Sequence, residues 1–271
     1  MIVEADDFLA ECDALADLLS HADERILATI TQFKEWTIED VIAHLYMWNV
    51  AAAETLSSRE TFQTFIAFVM KRMGLGDGHR ELQRAWLDET RDGLSGLALL
   101  EAWRAHYPGL ASAYRDADPE HRVAWAGPDM TAQSKIIARQ MEAWAHGQEI
   151  FDILGETRKE KDRVRNICHL GVVTYSFAFR NRGMEPQQPK PYVRLDAPSG
   201  AAWEWNTPQE DNVITGPAHE FAQIAAQTRN VADTSLDVAG GPASEWVRII
   251  QCFAGAPEDP PPPGSRRRVS A

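Results

Sequence analysis

Through the first 155 residues, apolar positions recur every three to four residues, the period of an amphipathic helix. Phe8, Cys12, Leu15, Leu18 and Leu19 form one such stripe and predict a helix from about residue 4 to 31. A second helix opens at Thr37, where Asp40 stands three residues on, in the pattern of a capping box with Asp in place of the usual Glu or Gln. Trp36 before that cap and Val41 after it are placed for a hydrophobic staple, and the stripe continues to about residue 57. Shorter helices are expected at 59–73 and 80–90, on either side of a glycine-rich break. A long helix is expected at about 95–117, stopped by Asp118-Pro119. After a loop at 120–130, a last long helix covers about 131–154, with Gly155 as its stop.

Beyond the charged stretch 156–163 the pattern changes. Residues 191–197 and 201–206 read as strands joined by Pro198-Ser199-Gly200. A helix is expected to start at Pro217 and run to 229, and another covers 242–253 with Trp246, Ile249, Ile250 and Phe253 on its apolar side. The chain therefore divides into a helical bundle over 1–158, a smaller mixed α/β domain over 164–256 and a Pro/Arg segment, 257–271. That last segment is expected to be a disordered tail.

Composition narrows the partners. Lys and Arg total 27 against 40 for Asp and Glu, a formal charge of −13, which argues against a nucleic-acid partner. Arg266-Arg267-Arg268, the one basic run, belongs to the tail. Cys12, Cys168 and Cys252 are widely spaced and make neither a disulfide framework nor a CxxC metal site. No stretch has the roughly 18 apolar residues of a membrane span, and the N-terminal residues lack the basic start and apolar core of a signal peptide. A cytoplasmic protein is expected; monomer and homodimer are equally open.

The chemistry lies in the bundle. Glu142 and His146, four residues apart, share one helix face, with little bulk beside them at Ala138 and Ala145. Such a pair is common on exposed helices. His44, however, lies on the buried stripe of the second helix with Val41, Leu45, Trp48 and Ala52. A histidine there is ordinarily a core residue bonded to a backbone carbonyl. In an antiparallel bundle, metal ligands are assembled from facing helices, and two imidazoles with one carboxylate leave a coordination position open, as catalytic sites do. Zinc suits this set; iron, nickel and manganese are compatible with it.

The segments WTIEDVIAHLYMWN and ARQMEAWAHGQEIFDILG, about 100 residues apart, resemble the DinB-like superfamily. Within it they are similar to the mycothiol-dependent maleylpyruvate isomerase-like metal-binding proteins. The likeness extends to Trp125–Met130 (W-x-G-P-x-M), to His169-Leu170-Gly171-Val172 and to Arg180-Asn181-Arg182-Gly183, and so spans nearly the whole chain. It implies an α+β protein: a DinB-like four-helix bundle followed by a smaller α/β, sterol-carrier-like domain. It also implies zinc on His44, Glu142 and His146, with activation of a small thiol, mycothiol or bacillithiol, for transfer to an electrophile or for cis–trans isomerisation. The alternatives are a metal-containing small-molecule binding or resistance protein without turnover, and a metal-dependent hydrolase. Relatives use an arginine near the end of the second domain, where this chain has Cys252-Phe253-Ala254-Gly255.

Weaker candidates remain. Glu149, seven residues beyond Glu142, is placed to orient a ligand histidine or act as a base, against the default of a solvated helix residue. Trp48, Trp125 and Trp144 are candidates for a substrate pocket, against core packing. Arg180 and Arg182 are candidates for holding a carboxylate of thiol or substrate, against surface ion pairs; Arg229 and Arg248 are similar. His169 is expected to pack at the domain junction.

Overall fold

The N-terminal stripes close into a four-helix bundle. In the computed structural model, which describes residues 1–127 and 129–269, the chain forms two units, Met1–Ile153 and Leu154–Ala271. The first unit runs α1 (Glu4–Leu18), α2 (Glu24–Leu27), α3 (Ile38–Ser57), α4 (Arg59–Gly74), α5 (His79–Thr90), α6 (Gly96–Arg115), β1 (Arg122–Val123), β2 (Met130–Thr131) and α7 (Ala132–Ile153). The long helices α1, α3, α6 and α7 form a ring in which α1 packs on α6 and α7, and α3 packs on the same two. Phe8, Leu15, Val41, Leu45, Trp103, Tyr114, Ile136, Trp144 and Ile150 are buried inside it. Each large apolar side chain so buried contributes about 1.5–3 kcal/mol.

The first helix is shorter than its stripe predicts. It ends at Leu18, and Asp23 starts α2 by accepting a hydrogen bond from the Ile26 amide at 2.9 Å. The Asp23 carboxylate thus offers the backbone a local partner that starts a new helix instead of continuing the first. The start of α3 follows expectation: Thr37 Oγ1 accepts from the Asp40 amide at 3.1 Å, and Asp40 Oδ2 accepts from the Thr37 amide at 3.0 Å. The loop before α7 contains the antiparallel pair β1–β2. Pro128, within the W-x-G-P-x-M motif, lies outside the described residues.

The second unit holds α8 (Arg165–Val173), α9 (Tyr175–Arg180), β3 (Tyr192–Asp196), β4 (Ala202–Trp205), β5 (Val213–Pro217), α10 (Ala218–Ala225), β6 (Asp237–Ala239) and α11 (Gly241–Ile249). The sheet order is β4-β3-β5-β6, with β3 and β5 parallel and the other pairs antiparallel. The expected hairpin is β3–β4. Pro217 closes β5 and is the N-cap of α10, which begins one residue later than expected and ends at Ala225, short of the expected 229. Gly171 permits the contact of α8 with α10, since a Cβ there would stand 2.9 Å from Ala225 Cβ and 3.1 Å from Phe221 Cε1.

The Pro/Arg segment is not the free tail expected from composition. Asn230 Nδ2 donates to the Pro261 carbonyl at 2.8 Å, Asp233 accepts from the Gly264 amide at 2.9 Å, and Arg266 Nη1 donates to the Gln227 carbonyl at 2.8 Å. A proline string cannot donate, but its carbonyls accept, and side chains of the unit use them. Residues 270 and 271 lie outside the described residues. Among the described residues, no helix is long and apolar enough to cross a membrane.

Candidate metal centre

His44 in the middle of α3 and Glu142 and His146 in α7 meet between the two helices. One ligand atom from each lies within 4.8 Å of the others. His44 Nε2 is 3.2 Å and His146 Nε2 is 3.4 Å from the same oxygen, Glu142 Oε2. The side chains of both histidines are nearly closed off, while that of Glu142 is 26% exposed, so the cluster opens on the Glu142 side.

Each imidazole is fixed from behind. His44 Nδ1–H donates to Gln83 Oε1 at 2.9 Å, and the Gln83 amide nitrogen is committed to the Asp40 carbonyl at 3.3 Å. His146 Nδ1–H donates to Glu149 Oε2 at 3.0 Å. With Nδ1 protonated, neutral His44 turns an Nε2 lone pair toward Glu142 Oε2, and His146 does the same once its Nε2 proton is displaced by a cation. Three electron-rich atoms so close repel one another unless a proton or a cation lies between them. Two imidazoles held by outer hydrogen bonds and one carboxylate are the donor set of an open zinc site, so these residues fit a divalent ion.

The protonation states follow from the surroundings. Burial, with the nearby His146 and Arg139 charges, pushes His44 down to about 4 against the pull of Glu142 on its charged form, which leaves it neutral at pH 7. Burial also acts against a charged His146, but the Glu149 and Glu142 carboxylates together outweigh it and raise this group to about 9. Burial would raise Glu142, yet its bonds to His146 and His44 and the Arg139 charge hold it well below the carboxylate range.

The centre is walled by aromatic rings. Trp36 lies parallel to His146, 6.0 Å between centroids, and 5.5 Å from His44; Phe33 meets His146 edge-on at 5.1 Å. These rings are presented by a tight turn in which Lys34 and Glu35 adopt φ of 49° and 57°. Left-handed backbone is costly for such residues, and the turn is held by bonds from the Thr31 amide to the Trp36 carbonyl at 2.7 Å and from the Trp36 amide to the Phe33 carbonyl at 2.8 Å. Trp48 lies 6.3 Å from His44 and so borders the cluster; Trp125 packs on Trp48 at 5.4 Å, one ring further out, and Trp144 is core.

Glu149 is not the solvated residue that the default reading expects: it is buried against His146. Arg180 is exposed at the end of α9. Arg182 bonds the Glu258 carbonyl and pairs with Asp259 at 3.3 Å, so its guanidinium ties down the tail segment. Arg229 Nη1 donates to the Thr228 carbonyl at 2.8 Å. His169 Nδ1 accepts from Trp205 Nε1 at 3.2 Å.

Sequence reasoning missed Phe33, Trp36, Gln83, His79 (6.4 Å from His44 between ring centroids) and the buried cations Lys135 and Arg139. A signal for the last two existed. Lys135, Arg139, Glu142, His146 and Glu149 are spaced four, three, four and three, which makes a polar stripe along the inner face of α7.

This fold and cluster define a DinB-like helical-bundle protein whose bundle is followed in sequence by a smaller α/β unit. The chain belongs to the mycothiol-dependent maleylpyruvate isomerase-like family: residues 8–151 match the model of the mycothiol maleylpyruvate isomerase N-terminal domain. An uncharacterized protein of Mycobacterium tuberculosis, recorded in the CDC 1551 and H37Rv strains, is 31% identical over 261 residues, 93% of this chain and 95% of that protein. Two crystal structures of a mycothiol-dependent maleylpyruvate isomerase share the fold. The first has a TM-score of 0.50 at 17% identity, and an alanine mutant at one of its histidines has 0.52 at 16%. Each match covers 83% of this chain and 88% of the other.

Proposed function

We propose that this protein is a metal-dependent enzyme that activates a low-molecular-weight thiol of the mycothiol type against a small electrophile. In this reading His44, Glu142 and His146 hold one divalent ion, zinc by the chemistry of the donors. The observation that carries the reading is the outer bonding of both imidazoles, which turns two Nε2 atoms and one carboxylate oxygen toward one another in a cluster with one accessible side. Membership of the family supports the thiol and the isomerase chemistry.

When bound, such an ion lowers the pKa of a thiol and keeps it as thiolate at neutral pH. The protein's own residues do the rest. Gln83 and Glu149 fix the ring tautomers, and Phe33 and Trp36 exclude water from the inner side. The half-exposed Glu142 side leaves the approach for thiol and electrophile. The nucleophilic sulfur is not the protein's, because Cys12, Cys168 and Cys252 are all buried and burial raises the Cys12 and Cys168 thiols.

A thiolate sulfur that adds to one carbon of a conjugated double bond sends the π pair onto the conjugated carbonyl oxygen. The remaining single bond rotates; return of that pair expels the thiolate and restores the double bond in the other geometry. With an electrophile that carries a leaving group, the same attack ends in a thioether. Reduced, buried cysteines suit a cytoplasmic setting for this thiol chemistry.

Metal analysis of the purified protein and of His44→Ala tests the reading first. About one equivalent of zinc, lost in the variant, is expected; a low metal content unchanged by the substitution would overturn it. The metal-loaded protein is then incubated with maleylpyruvate or a chlorodinitrobenzene and with mycothiol, bacillithiol or glutathione. Thiol-dependent isomer or adduct is expected, and its absence with all three thiols would remove the catalytic reading.

A further inference from the structure

Lys135 is 1% exposed, in the first turns of α7. Its ammonium lies on the face of Trp125, 2.8 Å from the ring centroid, and among the described residues it has neither a carboxylate partner nor a hydrogen-bond acceptor. Arg139, one turn on, is differently placed: its Nε donates to Asn49 Oδ1 at 3.1 Å and its Nη2 to the Leu45 carbonyl at 3.4 Å. The attraction of one aromatic face is smaller than the cost of drying an ammonium. Burial and the Arg139 charge accordingly push Lys135 well below the ordinary lysine range, against the pull of Glu142.

A second unpartnered donor belongs to a ring packed on Trp125. Trp48 packs on Trp125 at 5.4 Å, and its buried indole Nε1–H has no acceptor among the described residues. Phe62 stacks on Trp125 at 5.5 Å, and Phe65 meets Trp48 at 5.7 Å. A buried amine that an arriving anion would hold in its charged form, and an unpaired indole N–H on a ring packed against the same Trp125, are complementary to a planar anion. Trp48 and Trp125 are themselves only half-buried, and Trp48 also borders His44, so this wall continues into the cluster.

We propose that Lys135 and Trp48 form a carboxylate-binding subsite beside the candidate centre, which takes the anionic end of a short unsaturated or aromatic acid. What the subsite serves rests on the catalytic reading above, but binding in it requires no ion. A purely structural Lys135, clamping the loop that carries Trp125 onto α7, would make no such distinction between charged and uncharged ligands.

Metal-free full-length protein is titrated with maleate and with its dimethyl ester, followed by tryptophan fluorescence and calorimetry. Maleate is expected to bind and the ester not. Lys135→Met should weaken maleate about tenfold or more, as loss of a bond to a charged group does, and Trp48→Phe about three- to tenfold. Equal binding of acid and ester, equal affinity in wild type and Lys135→Met, or no binding of maleate or any carboxylate overturns the proposal. If Lys135→Met does not fold, Trp48→Phe, which removes only the N–H and part of the ring, decides it by the same criterion. N-acetylcysteine and its amide are titrated in parallel to identify the source. A variant-sensitive preference for maleate assigns the subsite to the electrophile, and one for N-acetylcysteine alone assigns it to the thiol. Metal content is read separately, so failure of the catalytic reading leaves this outcome legible.

Discussion

Gln83 braces His44: its amide oxygen accepts the imidazole Nδ1–H at 2.9 Å while its amide nitrogen donates to the Asp40 carbonyl at 3.3 Å, one turn earlier on the same helix. The ring orientation thus depends on a residue of α5, outside the helices that carry the three donors. Gln83→Leu should keep the fold and weaken zinc affinity about 10- to 100-fold, the usual effect of losing an outer hydrogen bond to a ligand histidine. Competition with a chromophoric chelator measures it, and unchanged affinity would show that the brace is not needed.

Glu149 orients the other imidazole and adds its charge. Glu149→Gln keeps the shape and removes the charge, so zinc affinity should again fall by about 10-fold or more. Glu149→Asp, which shortens the reach but keeps the charge, should recover part of the loss. Equal affinities in all three proteins would remove Glu149 from the centre.

Removing metal should lower thermal stability, because an ion that binds only the folded chain stabilises it by about 2.7 kcal/mol at a hundredfold excess over Kd. Melting curves with added zinc or added chelator should therefore separate for the wild type. For His44→Ala they should superimpose, and a separation of the same size in the variant would place the stabilising ion elsewhere.

Tyr114 is fully buried on α6 and donates its phenol to the Ala52 carbonyl of α3 at 2.9 Å. Burial raises it above its ordinary value of 10.0, so the folded state requires the neutral phenol. Its contribution is intact below pH 10 and is lost as pH rises beyond that, because only the unfolded chain then ionises freely. Tyr114→Phe should cost about 0.5–1.5 kcal/mol at pH 8 and make the melting temperature fall less steeply between pH 10 and 11. Parallel pH profiles for the two proteins would contradict this.

Gly171→Ala should destabilise the second unit by about 1–3 kcal/mol, since the new methyl meets Ala225 and Phe221 below ordinary contact distance. Zinc content should not change, because all three donors lie in Met1–Ile153. Denaturant melts with parallel metal analysis check both statements.

What the sequence disclosed follows from periodicity. Long helices write their inner face every three to four residues, and Glu142 with His146 is a local spacing that one helix makes rigid. His44 was legible because a polar residue on a buried stripe asks for a reason. The break after Leu18 was not, since the apolar spacing runs on past it while Asp23 re-caps the chain. β5 and β6 are short strands whose pairing joins segments far apart in sequence, and no local pattern announces that. Gln83 is an ordinary polar residue of an amphipathic helix until the fold sets it behind His44. Phe33 and Trp36 depend on a left-handed turn at two residues that rarely adopt one.

The polar stripe of α7 makes that helix a ruler. Lys135 and Glu142 are seven residues apart, roughly 10 Å along the axis at 1.5 Å per residue. One unbroken helix maintains that interval, and no loop or hinge intervenes to adjust it. If the proposed subsite and the candidate centre hold the two ends of one molecule, that fixed interval sorts acids by length: too short an acid leaves one end unheld, and too long a one is kept from the histidines.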